Sequence, residues 1–118
     1  MAKILLVGYV TDLLQQRKKK LHAAGHEVAS AQTLEAALRT AQWGQYDVVV
    51  LGHGVPEHLR NRLAATVKRT NPGTRVVMLY SRPGEKSDVA DAWMDTAASV
   101  EELQRTVEGL VSLKARSG

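Results

Sequence analysis

The 118 residues of this sequence suffice for one small domain and leave no room for a second domain of ordinary size. Hydrophobic residues make up 44% of it and charged residues 24%, a balance that excludes an intrinsically disordered chain. The formal net charge of +4 permits an acidic partner without requiring one. The absence of cysteine excludes disulfides, thiolate metal sites and cysteine nucleophiles.

The first half of the chain alternates apolar strand patterns with amphipathic helix patterns. Lys3–Val7 is a continuous apolar run ended by Gly8, which is typical of a strand buried on both faces. Gly25 stands where the end of a helix favours a left-handed residue, and Thr33 is a suitable N-cap for the helix that follows. The predicted elements are strands at 3–7, 27–31 and 47–51, and helices from 11 or 12 to 24 and from 33 to 44.

The second half continues the same alternation. Pro56 suits the first turn of a helix, and Asn71-Pro72-Gly73 is a turn signal that ends it. Ser99-Val-Glu-Glu102 is a capping box that begins the last helix. The remaining predictions are strands at 75–80 and 92–94, a short helix at 85–90, a last helix from 99 to 111, one domain at 1–112 and a tail or start of a linker at 113–118.

A strand followed by a helix, five times over, predicts the fold class. Parallel neighbours need right-handed crossovers, so this order predicts an α/β fold with a doubly wound five-stranded parallel sheet and helices on both faces. In such sheets the working site lies beyond the carboxyl ends of the strands, near the point where the strand order reverses. The segments expected there are 8–10, 52–57, 80–83 and 95–98.

Five strand–helix units with Leu51-Gly52-His53-Gly54-Val55-Pro56 after the third strand resemble the receiver domain of bacterial response regulators, a flavodoxin-like fold. The resemblance covers essentially the whole chain and implies a role in two-component signalling, or phosphorelay, pathways. The segments that carry it are 3–7, Gly25, 46–51, Pro56, 71–72, 76–79, 90–93 and 101–103.

The resemblance also implies a phosphorylation site, and this sequence departs from it at every position. The phosphoryl-accepting aspartate expected four residues before the proline is Gly52, which has no side chain to act as a nucleophile. The two acidic residues expected to hold Mg²⁺ after the first strand are Gly8 and Tyr9. The small hydroxyl residue expected at the end of the fourth strand is Tyr80, and the lysine expected after the fifth strand is Thr96.

We therefore interpret the chain as a degenerate receiver, or pseudo-receiver, that is not phosphorylated and is not an enzyme. Phosphoryl transfer depends on charge neutralisation and positioning, which a pocket without nucleophile, metal ligand or lysine does not supply. No metal and no cofactor are predicted. In the family an aromatic residue three positions before the lysine moves together with the hydroxyl residue. That residue is Trp93 here, and we expect Tyr80 to hold it in one orientation.

The resemblance implies that the output and dimer surface comprises the fourth helix, the fifth strand and the fifth helix, here 84–98 and 99–111. We predict a regulatory module that binds a protein partner or a second copy of itself, with Trp93 as an anchor. Nucleic acid is not an expected partner, because no recognition helix or zinc module is present. Neither a membrane span nor a signal peptide is predicted, so we expect a cytoplasmic protein. The candidate interaction residues are Trp93, Asp95, Val100 and Gln104.

Other interpretations stay open at this point. A small-ligand or nucleotide sensor would use the remodelled carboxyl edge, where Gly8 and Gly52 leave room for a ligand or for the ring of Tyr80. Phosphorylation of a non-standard residue such as His53 is the least favoured reading. The basic run Arg17–Lys20 is interpreted first as a solvated helix face and second as a contact for an acidic partner.

Overall fold

The computed structural model of the chain describes residues 2–8, 11–43, 46–52, 56–80, 90–95 and 99–117. The strands in these ranges are β1 (Lys3–Val7), β2 (Glu27–Ala31), β3 (Val48–Leu51), β4 (Arg75–Tyr80) and β5 (Ala92–Asp95). The helices are α1 (Thr11–Ala23), α2 (Leu34–Trp43), α3 (Glu57–Thr70) and α4 (Val100–Ser117). Within the described ranges, no helix is both long enough and apolar enough to cross a membrane.

All five strands form one parallel sheet in the order β2-β1-β3-β4-β5. The strand order reverses between β1 and β3, which pair in register from Ile4 with Val48 to Val7 with Leu51. The predicted doubly wound parallel sheet is therefore confirmed. Below, the amino edge is the edge of the sheet where the strands begin, and the carboxyl edge is the edge where they end.

Two hydrophobic clusters cover the two faces of the sheet, because β3 is apolar at every position and β1 and β4 are apolar along most of their length. All four residues of β3 are buried. One cluster joins the sheet to α2 and α3 through Ala37, Leu63, Ala64 and Val67. The other joins it to α1 and α4 through Leu14, Leu21, Leu103 and Val107.

The element bounds follow the prediction closely, with differences at the ends. Gly25 has a φ of +96° and its N–H donates to the carbonyl of His22, as expected of a left-handed residue after a helix. The backbone of the predicted tail is helical as far as Ser117, because the sequence from Leu113 to Arg116 contains good helix formers. The predicted helix at 85–90 lies outside the described residues except for Ala90, which is not helical.

Side chains of two aspartates hold the amino edge together. Asp47 accepts the backbone N–H of Lys3 at 2.8 Å, just before β3 begins. Asp91, just before β5, accepts the backbone N–H of Val76 at 2.7 Å. The side chain of Asp91 is 20% exposed and also pairs with Lys68 from α3. These contacts join the beginnings of strands that are far apart in sequence.

A buried histidine connects the same edge to the last helix. His26 is 8% exposed, and its Nδ1 accepts the backbone N–H of Ala2 at 3.1 Å. Because Nδ1 accepts, Nε2 carries the proton and donates to Oε2 of Glu108 at 2.9 Å. The imidazole thereby joins the start of β1, the start of β2 and the middle of α4.

Candidate functional site

The carboxyl edge brings several of the predicted site residues together. Gly8 directly follows β1 and Gly52 directly follows β3, and these two strands are neighbours where the strand order reverses. Tyr80 ends β4 and lies in register with Asp95, the last residue of β5. The other residues predicted for this edge lie outside the described residues: Tyr9, His53 and Thr96.

The end of β3 lies directly against the backbone of β1. The N–H of Gly52 donates to the carbonyl oxygen of Val7 at 2.7 Å. A Cβ atom on Gly52 would stand 2.8 Å from that same oxygen and 3.4 Å from the Cα atom of Gly8. Neither atom belongs to a flexible side chain, so any side chain at this position requires the two strands to separate. The backbone of β1 therefore lies within 3 Å of the place that a Cβ atom would take at Gly52, so the missing side chain leaves no room at that point.

Gly8 differs from Gly52 in this respect. Its N–H donates to the carbonyl of Ala31 at 3.1 Å, which extends the pairing of β1 with β2. A Cβ atom on Gly8 would meet Cδ1 of Leu14 at 3.6 Å, an ordinary van der Waals distance. The first of the two glycines thus tolerates a small side chain and the second does not.

Two aromatic residues lie on the sheet face that α3 covers. Tyr80 is half-buried, and because side chains alternate along a strand it shares a face with Met78. Met78 is in register with Trp93, which is half-buried and packs against the hydrophobic cluster that contains Met78. The single orientation of Trp93 stays a prediction.

Arg60 adds a buried positive charge to the carboxyl edge, and the sequence analysis did not single it out. It lies in the first turn of α3 and is 3% exposed. Its Nη1 donates to the carbonyl oxygen of Leu79 at 2.5 Å, next to the end of β4. The signal that would have found it is its spacing: Arg60 precedes Leu63 by three positions and Val67 by seven, so it falls on the buried stripe of its helix.

Metal-binding side chains do not gather in the described part of the chain. Across those ranges, no group of three or more His, Cys, Asp or Glu residues is placed to hold a metal ion. At the carboxyl edge, Gly8 and Gly52 contribute no side-chain oxygen. Asp95 contributes one from β5, three strands away from β1 in the sheet order.

The candidate interaction residues lie on two different elements. Trp93 and the exposed Asp95 belong to β5, at the end of the sheet order. Val100 and Gln104 are half-buried and one turn apart on α4, which packs on the face of the sheet opposite to Trp93. Gln104 donates to Oε2 of Glu108 at 3.3 Å. The structure therefore brings these residues together in pairs, and Trp93 and Gln104 do not share a face.

The basic run on α1 is divided between two environments. Arg17 and Lys18 are half-buried, whereas Lys19 and Lys20 are exposed. Burial lowers the pKa of the Arg17 guanidinium from its ordinary value. Lys20 pairs with Glu101 of α4 at 3.2 Å. These placements fit the interpretation of the run as a helix face whose alkyl stems cover apolar surface.

Comparison with known proteins identifies the fold. No family model matches the sequence, and no curated protein matches it at a significant level. A response regulator receiver domain protein (CheY-like) from Methanospirillum hungatei has a TM-score of 0.85 at 19% identity, over 100% of this chain and 99% of that one. The response regulator TrrA from Thermotoga maritima, solved in complex with Mg²⁺ and BeF, has a TM-score of 0.79 at 24% identity, over 93% of this chain and 99% of that one.

A third neighbour has a different stated role. It belongs to a family of redox sensors in the streptococci that evolved from two-component response regulators. Its TM-score is 0.84 at 18% identity, and the match covers 98% of this chain but 53% of that one. The three matches agree on one architecture. The chain has the receiver-domain fold, as the resemblance implied.

Proposed function

We propose that this chain is an atypical, cytoplasmic receiver-like domain of a two-component response regulator that acts by protein contact and is not phosphorylated. One observation carries the proposal. The position that the resemblance assigns to the phosphoryl acceptor is Gly52, and a Cβ atom there would stand 2.8 Å from the carbonyl oxygen of Val7. The acceptor side chain is absent and its place is taken by backbone.

The chemistry of phosphoryl transfer supports the same conclusion. Transfer to a carboxylate requires the carboxylate itself, and the developing charge is neutralised by a metal ion and nearby cations. Gly52 supplies no nucleophile, and Gly8 supplies no side-chain oxygen for a metal ion. In the sequence, Tyr9 and Thr96 stand where an acid and a lysine are expected. We infer that the domain regulates without catalysis.

The surface that we propose for partner contact is centred on β5. This strand is the last in the sheet order, and its Trp93 is half-buried rather than enclosed. Tryptophan is enriched among the residues that dominate binding energy at interfaces, because one side chain buries a large area. Asp95 on the same strand and Val100 at the start of α4 are exposed or half-buried beside it in sequence. The partner is a second copy of this chain or another protein of the pathway.

The decisive experiment for the proposal is a phosphorylation assay. The protein is incubated with Mg²⁺ and acetyl phosphate, and its intact mass is recorded, with a phosphorylation-competent receiver domain treated in parallel. We expect the competent domain to gain the mass of one phosphoryl group and this chain to gain none. A stoichiometric adduct on this chain would overturn the proposal, and mapping it would identify the acceptor.

The contact surface is tested by the substitution Trp93→Ala. We expect it to weaken self-association or binding to a partner protein by at least about 30-fold, the size of a hot-spot effect, while the chain still folds. The dissociation constant is measured by sedimentation equilibrium, and folding by circular dichroism.

The matched control is Leu13→Ala, since Leu13 is 45% exposed and lies on α1, away from β5. Its association should equal that of the unmodified chain. If the Trp93→Ala variant associates as tightly as the unmodified chain, β5 is not part of the interface. An unmodified chain that stays monomeric would exclude self-association as the role of this surface.

A further inference from the structure

Arg60 is a buried charge at the carboxyl edge for which the proposed function gives no role. Arginine is mostly exposed in proteins, yet Arg60 is 3% exposed. Removing a guanidinium from water costs free energy unless hydrogen bonds within the protein compensate. The contacts of Arg60 are what compensate this cost, so they show what its burial does for the fold.

The guanidinium of Arg60 joins two segments that are not adjacent in sequence. Its Nη1 donates to the carbonyl oxygen of Leu79 at 2.5 Å, across 19 positions of the chain. The backbone N–H of Arg60 donates to the carbonyl of Pro56 at 2.9 Å, which anchors the residue in the first turn of α3. The first turn of α3 is thereby tied to the end of β4 by a hydrogen bond from a charged donor, a strong class of hydrogen bond.

These two segments flank the closed acceptor position. Pro56 lies four residues after Gly52, and Leu79 directly precedes Tyr80 at the end of β4. The end of β4 is in turn paired with β5, where Tyr80 lies in register with Asp95. Any displacement of the end of β4 therefore breaks the Arg60 bond within a buried environment, where a charged group that loses a partner is costly.

We propose that Arg60 is an internal lock, which holds the end of β4 against α3 so that the carboxyl edge keeps one conformation without a bound ion or phosphoryl group. This inference rests on the proposed function, because a domain that acts by protein contact and is not phosphorylated needs another means of keeping its carboxyl edge in one conformation. Arg60 acts here as a positioning residue, through the backbone of Leu79. Trp93 is in register with Met78 of β4, so a change in its environment reports a displacement of the end of β4.

The test compares the unmodified chain with Arg60→Met, which keeps an unbranched apolar stem as far as about the position of Nε and removes the guanidinium charge and its hydrogen bond. Relaxation dispersion of the amides of Leu79, Tyr80 and Asp95 and of the Trp93 indole reports exchange on the microsecond to millisecond timescale. We expect flat profiles in the unmodified chain. In the Met variant we expect an alternative conformation at these sites, with its population raised about tenfold.

Arg62→Met is the matched control, because Arg62 is an exposed arginine on the same helix. Its profiles should stay flat. Arg60→Lys keeps the charge but not the planar fork, and we expect a smaller exchange contribution than in the Met variant. The Lys variant carries the test if Arg60→Met does not fold.

Each remaining outcome overturns the proposal. Exchange at these sites in the unmodified chain would show that no lock operates, and flat profiles in a folded Arg60 variant would show that Arg60 is not its cause. Loss of folding in both Arg60 variants would make the residue a general requirement of the core rather than a local lock. None of these results changes the phosphorylation assay, so failure of the lock and failure of the proposed function are distinguishable.

Discussion

The two edges of the sheet use charge in opposite ways. At the amino edge, the carboxylates of Asp47 and Asp91 accept backbone N–H groups from neighbouring strands, and Asp91 also pairs with Lys68. At the carboxyl edge, Gly52 directly follows β3, and its contact with the end of β1 is made by backbone atoms. The buried charge described there is a cation, that of Arg60.

This difference shows what the carboxylates of the amino edge do. A carboxylate that accepts backbone N–H groups and pairs with lysine contributes to the fold, and its oxygens are engaged. In the described part of the carboxyl edge, the neighbouring ends of β1 and β3 offer a close backbone contact and no side-chain oxygen for a divalent cation, and the buried charge beside the end of β4 is positive. The described acids of the amino edge thus serve the fold, while at the carboxyl edge Gly52 lies in close contact with the backbone of β1.

The largest loss of stability is expected when a side chain is added at Gly52, where β1 and β3 are in close contact. Gly52→Asp places an aspartate at the position of the phosphoryl acceptor, but its Cβ atom would stand 2.8 Å from the carbonyl oxygen of Val7. The three nearest atoms are backbone atoms of Val7 and Gly8, which cannot move aside as a flexible side chain would. We therefore expect the free energy of unfolding to fall by about 3 kcal/mol, with no phosphoryl adduct under the conditions of the mass assay. Chemical denaturation measures the first quantity and intact mass the second.

Gly8→Ala is the control on the neighbouring strand. Its Cβ atom would lie 3.6 Å from Leu14, so the cost should stay below about 1 kcal/mol. Equal costs at the two glycines would show that the contact between Gly52 and Val7 is not what closes this edge. An adduct on the Gly52→Asp variant would show that the edge is open to chemistry once the acceptor is returned.

The alternation of strands and helices along the chain was predictable because its causes are local in sequence. Apolar runs such as Lys3–Val7, turn signals such as Gly25 and the capping box at Ser99 each act within a few residues, and the structure has an element or turn at each. The hydroxyl of Ser99 accepts the N–H of Glu102 at 3.2 Å, as the capping box predicts. The rule that strands in such an order are parallel then fixed the sheet.

The contacts at the two edges were not predictable, because each joins residues far apart in sequence. Arg60 and Leu79 are 19 positions apart, Val76 and Asp91 are 15, and Lys3 and Asp47 are 44. No local pattern states which backbone group a side chain will reach. The closeness of β1 and β3 at Gly52 is likewise a property of the pairing of two strands, which the glycine alone does not specify.

A moderate effect is expected when an acid is removed from the amino edge. Asp91→Ala takes away the acceptor of the Val76 N–H and the partner of Lys68. We expect the free energy of unfolding to fall by about 1–2 kcal/mol, because a part-buried donor loses its hydrogen bond. Denaturant titration measures it.

Glu35→Ala is the comparison for Asp91, since the Glu35 side chain is 84% exposed and pairs with Arg39 on the same helix. Removing an exposed pair of this kind should cost no more than about 0.5 kcal/mol. If the two substitutions cost the same, the acids of the amino edge are not what holds the strand beginnings.

The smallest effect is expected at Glu101, an exposed acid in the first turn of α4. Its pKa is lowered from 4.5 first by a hydrogen bond with its own backbone N–H and then by the hydrogen bond to Lys20 and the charge of Lys20. A pKa lower in the folded chain than in the unfolded chain means that ionised Glu101 favours folding. That contribution is present above the ordinary pKa and is lost as the pH falls through the lowered one.

We therefore expect the melting temperature of the unmodified chain to exceed that of Glu101→Gln slightly at pH 7, and the difference to disappear as the pH falls through the lowered pKa. Lys20→Gln should reproduce only part of the difference, because the backbone hydrogen bond, the larger cause, remains in that variant. A difference that persists unchanged in acid would mean that the carboxylate charge is not its source. If Lys20→Gln reproduced the whole difference, the stabilisation by ionised Glu101 would come from its pair with Lys20 of α1 and not from the backbone hydrogen bond at the start of α4.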